Sequence, residues 1–320
     1  MPLGSNLWTQ DQFLTGLATG YSQTGEFIAN KLFPKIKVKL DVGKYIQFND
    51  SVLLDRSGNV ITGTDAIPNY IDFDSSEGTY TLIDKAIGAK ISTKEQRSGN
   101  KILDIETEKT LLCNEAMDLF WEKTIADMVQ LYTNYSATNY YTLDGSSAHY
   151  YWSDTTNGAP LTDLKRAWKA VKKYSGHLPD TLIFGFNPAC SLAENTKVIQ
   201  LGAPYNAAAP ELTPMGAVAK VAAFLGIPNV YIGLSSYKSA LGGSSTDIWG
   251  DNVIMAYVGN PSNKKSQTFG AHLELEGYPK VTKGEIPLTD GARFVHRRDC
   301  TSPFFVNALC GYLIHNTEAP

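Results

Sequence analysis

The feature that most constrains this chain is a run of nearly sixty residues, from Lys35 to about Thr93, whose patterns favour strands and turns. Apolar residues recur on alternate positions between Ile46 and Leu54, and turn-forming residues follow at 55–59. An isolated two-stranded ribbon is only marginally stable in water, so a β arm of this length must lie on a larger body. That body is either the rest of the same chain or a neighbouring molecule.

The next segment, Asn100 to about Asn134, contains neither glycine nor proline and predicts one helix of roughly 50 Å. Its apolar stripe changes sides near Phe120, which predicts a helix that packs on one body early and on another body later. A kink near Phe120 is the alternative. The apolar residues of the first half are Ile105, Leu112, Ala116 and Leu119, and those of the second half are Trp121, Ile125, Met128, Val129 and Tyr132.

Helices and strands then alternate over about a hundred residues, which predicts a compact α/β unit at 161–261. A helical stripe ends at Gly176, a buried strand is predicted at 181–184, and Asn187-Pro188 is predicted to begin a helix. Strand patterns return after residue 267. The chain as a whole is therefore predicted to belong to the α+β class.

Composition argues against two classes of protein. The 320 residues include 28 basic and 32 acidic side chains, and the net charge of -4 argues against a main role in binding phosphate backbones. No apolar run is long enough to cross a membrane and no signal-peptide pattern is present, so we expect a soluble protein made in a cytoplasm. Cys113, Cys190, Cys300 and Cys310 are predicted to be reduced thiols, with a bridge between the last two as the minor alternative.

Motifs for catalysis, cofactors and metals are nearly absent, and we predict no catalytic, cofactor-binding or metal-binding residues. The segment 259–266 lacks the glycine that a phosphate-binding loop needs at Asn263. His272 and His296 lie in predicted strands where they could approach one another. Glu274 and Glu276 would share one strand face, where a cation site and a solvated surface are both open interpretations.

A group of arginines near Asp299 is the other charged feature of the C-terminal part. Arg293, Arg297 and Arg298 could contact nucleic acid or the acids of a neighbouring subunit. An ion pair within the chain is the default interpretation.

The order of arm, β arm, long helix, α/β unit and closing strands resembles the major capsid proteins of tailed phages, the Hong Kong phage-type fold that encapsulin shells share. The likeness covers nearly the whole chain and depends on the order and spacing of several stretches. These stretches are "FIANKLFPKIKV" with "GKYIQF", "LPDTLIFGFNPACSLAENTKVIQ", "VAAFLGIPNVYIG" with "IWGDNVIMAYVG", and "GYLIHN".

The resemblance implies a division of the chain into named parts. These are an N-terminal arm (1–38), an extended loop (39–95), a peripheral domain (96–160 and 262–320) with a spine helix (100–134), and an axial domain (161–261). It also implies the assembly contacts Lys44, Asp55, Arg56, Asn59, Trp121, Arg297 and Arg298. Lys39 and Lys44 lie in the loop, but no pattern identifies an acceptor, so no covalent crosslink is predicted.

By the same resemblance, the chain is expected to be a structural protein without enzymatic activity, cofactor or membrane partner. Its copies would form pentamers and hexamers of an icosahedral virion capsid, assembled in the host cytoplasm. The shell would enclose double-stranded DNA without sequence specificity. Because only about 35 residues precede the loop, a separate scaffolding protein is expected, together with a portal.

Two other functions remain open from the sequence. One is an encapsulin-like cellular compartment, which shares the fold and encloses an enzyme cargo in place of DNA. The other is a hydrolase or transferase that uses the α/β unit, with His272 or Glu274 in its site.

Overall fold

A computed structural model describes residues 27–48, 75–98, 105–147, 149–201, 212–239, 243–259, 268–286 and 291–319. Its helices are α1 (Ala29–Leu32), α2 (Thr93–Ser98), α3 (Ile105–Gln130), α4 (Pro160–Ser175), α5 (Phe186–Glu194), α6 (Thr196–Ile199) and α7 (Pro214–Leu225). Its first strands are β1 (Lys35–Val38), β2 (Val42–Phe48), β3 (Ser75–Thr81), β4 (Ile83–Ile91), β5 (Tyr140–Thr142), β6 (Thr181–Gly185) and β7 (Asn229–Gly233). The later strands are β8 (Ser236–Lys238), β9 (Ser245–Asp247), β10 (Val253–Ala256), β11 (Gly270–Leu275), β12 (Lys280–Glu285), β13 (Arg293–Phe305) and β14 (Gly311–His315).

Strands β2 and β3 form a two-stranded ribbon, in register from the pair Val42 and Thr81 to the pair Phe48 and Ser75. The tip of the predicted loop, residues 49–74, lies outside the described residues. At the base of the ribbon, Val42 is 60% exposed. A ribbon of this kind is marginal in water on its own, so it needs support from another surface.

The first sheet ties the base of the ribbon to the C-terminal part of the chain. Its strands follow the order β1, β11, β13 and β12, and β4 pairs with β13 as well. Strand β4 runs antiparallel to β13 from the pair Ile91 and Arg293 to the pair Ile83 and Thr301. The strand that returns from the ribbon is therefore fixed over nine residue pairs to the longest described strand.

The second sheet, in the order β5, β14, β10, β6 and β7, holds the main core. Strand β6 is buried along its whole length because both faces of this sheet are covered. Leu182 and Phe184 point to the face that α4, α5 and α7 cover, whereas Ile183 points to the face covered by α1 and the end of α3. Strands β5 and β14, predicted for the peripheral domain, pair within this sheet, so the predicted boundaries at 160/161 and 261/262 divide it.

Helix α3 lies within the predicted spine helix (100–134) and ends at Gln130, before the predicted end, while residues 100–104 lie outside the described residues. It has 26 residues and is roughly 39 Å long. It ends at Gln130 because side chains just beyond the helix donate hydrogen bonds to its last carbonyl groups. The hydroxyl of Tyr135 donates to the oxygen of Val129 at 2.7 Å, and the amide of Asn134 donates to the oxygen of Met128 at 2.8 Å.

The buried face of α3 turns gradually around the helix, so the change of sides predicted near Phe120 is spread along the helix, and the face predicted for the first half is wrong. The stripe consists of Cys113, Met117, Trp121, Ile125 and Val129. Leu112, on the face predicted to be buried first, is 58% exposed. The prediction of two packing partners nevertheless agrees with the structure, because the stripe meets the first sheet early and the core of the second sheet later. Residues four apart advance 400°, a drift of about 40° at each step, so the buried face turns by about 160° between Cys113 and Val129 and can follow two sheets.

For the helices that pack on the second sheet, the ends were predicted more accurately than the beginnings. Gly176 ends α4 and Gly226 ends α7, both with positive φ angles that glycine adopts without strain. Helix α5 begins at Phe186, ahead of the predicted Asn187-Pro188 pair. All four cysteines are free thiols, as predicted.

Candidate assembly site

A buried carboxylate on α3 holds the end of the N-terminal segment against both sheets. The side chain of Glu122 is 2% exposed and accepts three hydrogen bonds. The backbone N–H groups of Ile28 and Ala29 donate at 3.0 and 2.9 Å, and the indole of Trp249 donates at 2.8 Å. Burial raises the pKa of Glu122, and the three donors oppose that rise. Glu122 thus caps α1 and links it to the loop before β10.

Replacing Glu122 with alanine is expected to loosen the N-terminal segment. The substitution leaves two backbone donors and one indole donor without an acceptor, which costs about 2 to 3 kcal/mol in the free energy of unfolding. Urea unfolding should register this loss, and trypsin should cleave faster after the exposed Lys31 on α1. Unchanged cleavage at Lys31 would show that Glu122 does not anchor this segment. Glu115→Ala, a partly exposed acid on the same helix, is the matched control.

A second buried cluster joins α3 to β13 one helical turn earlier. The guanidinium of Arg297, 5% exposed, donates to both carboxylate oxygens of Asp299 at 2.8 and 2.9 Å. It also lies 3.0 Å from an oxygen of Asp118 and donates to the carbonyl of Asn114 at 3.1 Å. The indole of Trp121 donates to Asp299 at 3.1 Å. Burial by itself would lower the pKa of Arg297, but Asp299 and Asp118 raise it.

His272 lies beside this cluster and is completely buried. Neither ring nitrogen has a hydrogen-bond partner within the described ranges. The ring lies 5.2 Å from that of Trp121, and the residue pairs in register with Lys35 on β1. Burial, together with the charge of Lys35, lowers the pKa of His272 to about 4, against the opposite effect of Asp299. The imidazole is therefore neutral at pH 7.

The predicted approach of His272 to His296 does not occur, because the register of β13 separates them. His272 faces Pro303, whereas His296 pairs with Gly88 and Thr282. Along β13 the two positions are seven residues apart, roughly 23 Å.

The two acids predicted to share a strand face are also separated. Glu276 lies beyond the end of β11 and is exposed, while Glu274 is buried and lies 3.9 Å from the ammonium of Lys35. Among the described residues, no group of three or more His, Cys, Asp or Glu side chains could hold a metal ion.

The predicted assembly contacts fall into two groups in the structure. Lys44 and Arg298 are exposed. Trp121 and Arg297 are buried, because both donate hydrogen bonds to Asp299 inside the subunit. The geometry of Arg297 fits the ion pair within the chain, and Trp121 donates to the same carboxylate, so a direct contact of either residue with a neighbour stays a prediction. Three loop residues lie outside the described residues, namely Asp55, Arg56 and Asn59.

No family model matches the chain. The chain is 24% identical over 318 residues to the major capsid protein of Burkholderia phage BcepMu, and the match covers 97% of each chain. A phage-related protein from Bordetella bronchiseptica RB50 superposes with a TM-score of 0.72 at 23% identity, covering 97% of this chain and 98% of that one. A chain from the capsid structure of cyanophage P-SCSP1u superposes with a TM-score of 0.57 at 11% identity, covering 89% of this chain and 86% of that one.

The chain has the fold of phage major capsid proteins. The recognition of this family from the sequence is confirmed, and so is the α+β class. The phage capsid fold extends to encapsulins. The SrpI encapsulin complex of Synechococcus elongatus PCC 7942 gives a TM-score of 0.51 at 12% identity and covers 97% of this chain and 96% of that one.

In the part of the chain that the structure describes, no helix could span a membrane. None of its helices is both long enough and apolar enough to cross a bilayer. The longest, α3, carries charged side chains throughout.

Proposed function

We propose that this chain is the coat protein of a tailed phage, and that its copies assemble through pentamers and hexamers into a closed icosahedral shell. The observation that supports this most is the likeness to a major capsid protein over 97% of both chains, combined with the capsid fold. The shell would enclose double-stranded DNA, held without sequence specificity, in the virion capsid. Assembly would take place in the host cytoplasm, with a separate scaffolding protein and a portal.

The roles that we propose for the segments of the chain follow from the resemblance. Residues 1–38 would form the arm, 39–95 the extended loop, 96–160 with 262–320 the peripheral domain, and 161–261 the axial domain. The β2–β3 ribbon supports the loop assignment because it forms a sheet of its own. Exposed apolar side chains at its base, Leu40, Val42 and Ile83, are suited to burial against a second copy. Lys44 and Arg298 remain proposed contacts.

An encapsulin-like compartment is the second candidate, because the fold fits encapsulins as well. The relationship in sequence favours the phage shell, since identity to the phage capsid protein is 24% against 12% to the encapsulin. We propose that the chain has no enzymatic activity. The two residues named for an enzyme site are poorly placed for it: His272 is completely buried, and Glu274 is buried beside Lys35.

Particle size and contents test the proposed function. The purified protein, examined by gel filtration and negative-stain microscopy, should form closed particles in place of monomers. Particles recovered with a portal and filled with DNA support the phage shell. Particles that contain a co-purified enzyme would support the compartment, and a monomer with catalytic activity would contradict both.

Deleting residues 50–67 is expected to abolish closed shells without unfolding the subunit. The deletion removes the proposed loop tip but leaves the pairing of β4 with β13 in place. The deleted chain should keep the wild-type melting temperature within a few degrees and should show no closed particles by microscopy. Normal particles from this variant would contradict the assignment of the loop.

A further inference from the structure

One face of α4 is basic and unpaired. Lys165, Lys169, Lys172 and Lys173 are all exposed, and at 100° per residue they fall within an arc of about 100°. None of them forms an ion pair with a carboxylate of the described residues. These four lysines, here called the α4 basic face, stand out in a chain whose net charge is -4.

The two outer lysines of the α4 basic face lie over aromatic rings. The ammonium of Lys165 is 5.0 Å from the ring of Phe224, and that of Lys173 is 5.1 Å from the ring of Tyr174. These contacts fix the aliphatic parts of the two lysine side chains but do not neutralise the charge of either ammonium group. The positive charge of the face is therefore left for a partner.

Three acidic residues, here called the acidic patch, likewise lack a lysine or arginine partner among the described residues. The acidic patch consists of Glu194 at the end of α5, Asp251 before β10, and Glu318 near the C-terminus. Burial raises the pKa of Glu318, and the neighbouring charges of Asp251 and Glu194 raise it further, whereas hydrogen bonds from Ser191 and Ser153 oppose the rise. None of the three pairs with a lysine or arginine in the part of the chain that the structure covers.

We propose that the α4 basic face of one copy docks on the acidic patch of the next copy around a ring, an inference that rests on the proposed shell function. The partner is a second copy because the chain carries both complementary surfaces, and neither forms an ion pair with the described residues of its own subunit. A contact between two different surfaces repeats head to tail and closes into a ring when its rotation allows. If the lysines instead bound the phosphate backbone of a nucleic acid, the acidic patch would have no explanation.

Opposite charges across this contact set the register of the ring and exclude wrong pairings more than they add affinity. The contact should accordingly weaken as salt rises, because exposed charges are screened within about 10 Å at 0.1 M ionic strength. Like charges brought together at the same contact would block it.

Charge reversal tests the contact. Variant A carries Lys169→Glu, Lys172→Glu and Lys173→Glu, and variant B carries Glu194→Lys and Glu318→Lys. Each variant alone should remain folded by thermal melting but should form at least tenfold fewer rings and shells than the wild type. Mixed in equal amounts, A and B should form six-membered rings again, because each acidic surface of A then meets a basic surface of B. The mixed rings should contain an even number of subunits, so hexamers are expected to recover, whereas pentamers, and the closed shells that need them, are not.

A control matched to variant A in charge, Lys37→Glu with Lys238→Glu and Lys280→Glu, should assemble as the wild type does. The proposal is overturned if variant A assembles normally, if the mixture does not recover hexameric rings, or if the control fails as variant A does. Normal shells of variant A that hold less DNA would instead assign the face to nucleic acid. Failure of the wild type to assemble would count against the proposed function itself, whereas failure of the rescue beside intact wild-type shells counts only against this contact.

Discussion

Replacing Arg297 with methionine should lower the free energy of unfolding of the subunit by about 3 to 5 kcal/mol. This is the largest effect that we expect from a single substitution of a buried residue. The guanidinium satisfies both oxygens of Asp299 and an oxygen of Asp118. Methionine fills a similar volume but leaves the carboxylate of Asp299 buried without a cation. The free energy of unfolding in urea, measured on the unassembled chain, gives the loss.

Two further variants separate loss of charge pairing from loss of packing. Arg298→Met removes an exposed arginine from the adjacent position and should change the free energy of unfolding by less than about 0.5 kcal/mol. Combining Arg297→Met with Asp299→Leu removes both partners and should recover part of the stability, because no buried charge is then left unpaired. A double variant as unstable as the single one would mean that packing, and not the buried charge, accounts for the effect.

The β arm and the long helix could be predicted from the sequence because both depend on local patterns. Alternating residues predicted the ribbon, and the absence of glycine and proline predicted the helix. The end of the helix could not be predicted in this way, since it depends on Tyr135 and Asn134 folding back onto carbonyls of Val129 and Met128. Whether these contacts form depends on where the segment after the helix packs.

Helix α2 and the role of Glu122 were missed, although each had a local signal. Ser92 and Glu95 form a capping box, in which each side chain accepts from the backbone N–H of the other at 2.8 and 3.2 Å, and this pattern predicts a helix start. Glu122 lies beside Trp121 on an apolar stripe, where a carboxylate requires buried donors. Its partners, from residues 28 to 249, could not be inferred from spacing.

The burial of His272 makes the stability of the subunit depend on pH. In the folded chain its pKa is lowered to about 4 by burial and by Lys35, whereas in the unfolded chain histidine has its ordinary pKa of 6.5. Between these values the unfolded state binds more protons, so stability falls as the pH decreases from 6.5 to 4 and does not fall further below 4 on account of this group. A shift of this size corresponds to a loss of about 3 kcal/mol, of which roughly 2 kcal/mol is lost by pH 5.

His272→Phe should remove this part of the acid sensitivity while keeping a ring against Trp121, whose centroid lies 5.2 Å from that of His272. The measurement is the difference between the free energies of unfolding at pH 7.5 and pH 5 for the wild type and for the variant. A change in packing alone would shift both values equally, so only the difference reports the proton. Glu122, whose raised pKa acts in the opposite direction, is present in both chains and cancels in the comparison. Equal pH dependence in the two chains would show that His272 takes up its proton without unfolding, which its lack of partners in a fully buried site argues against.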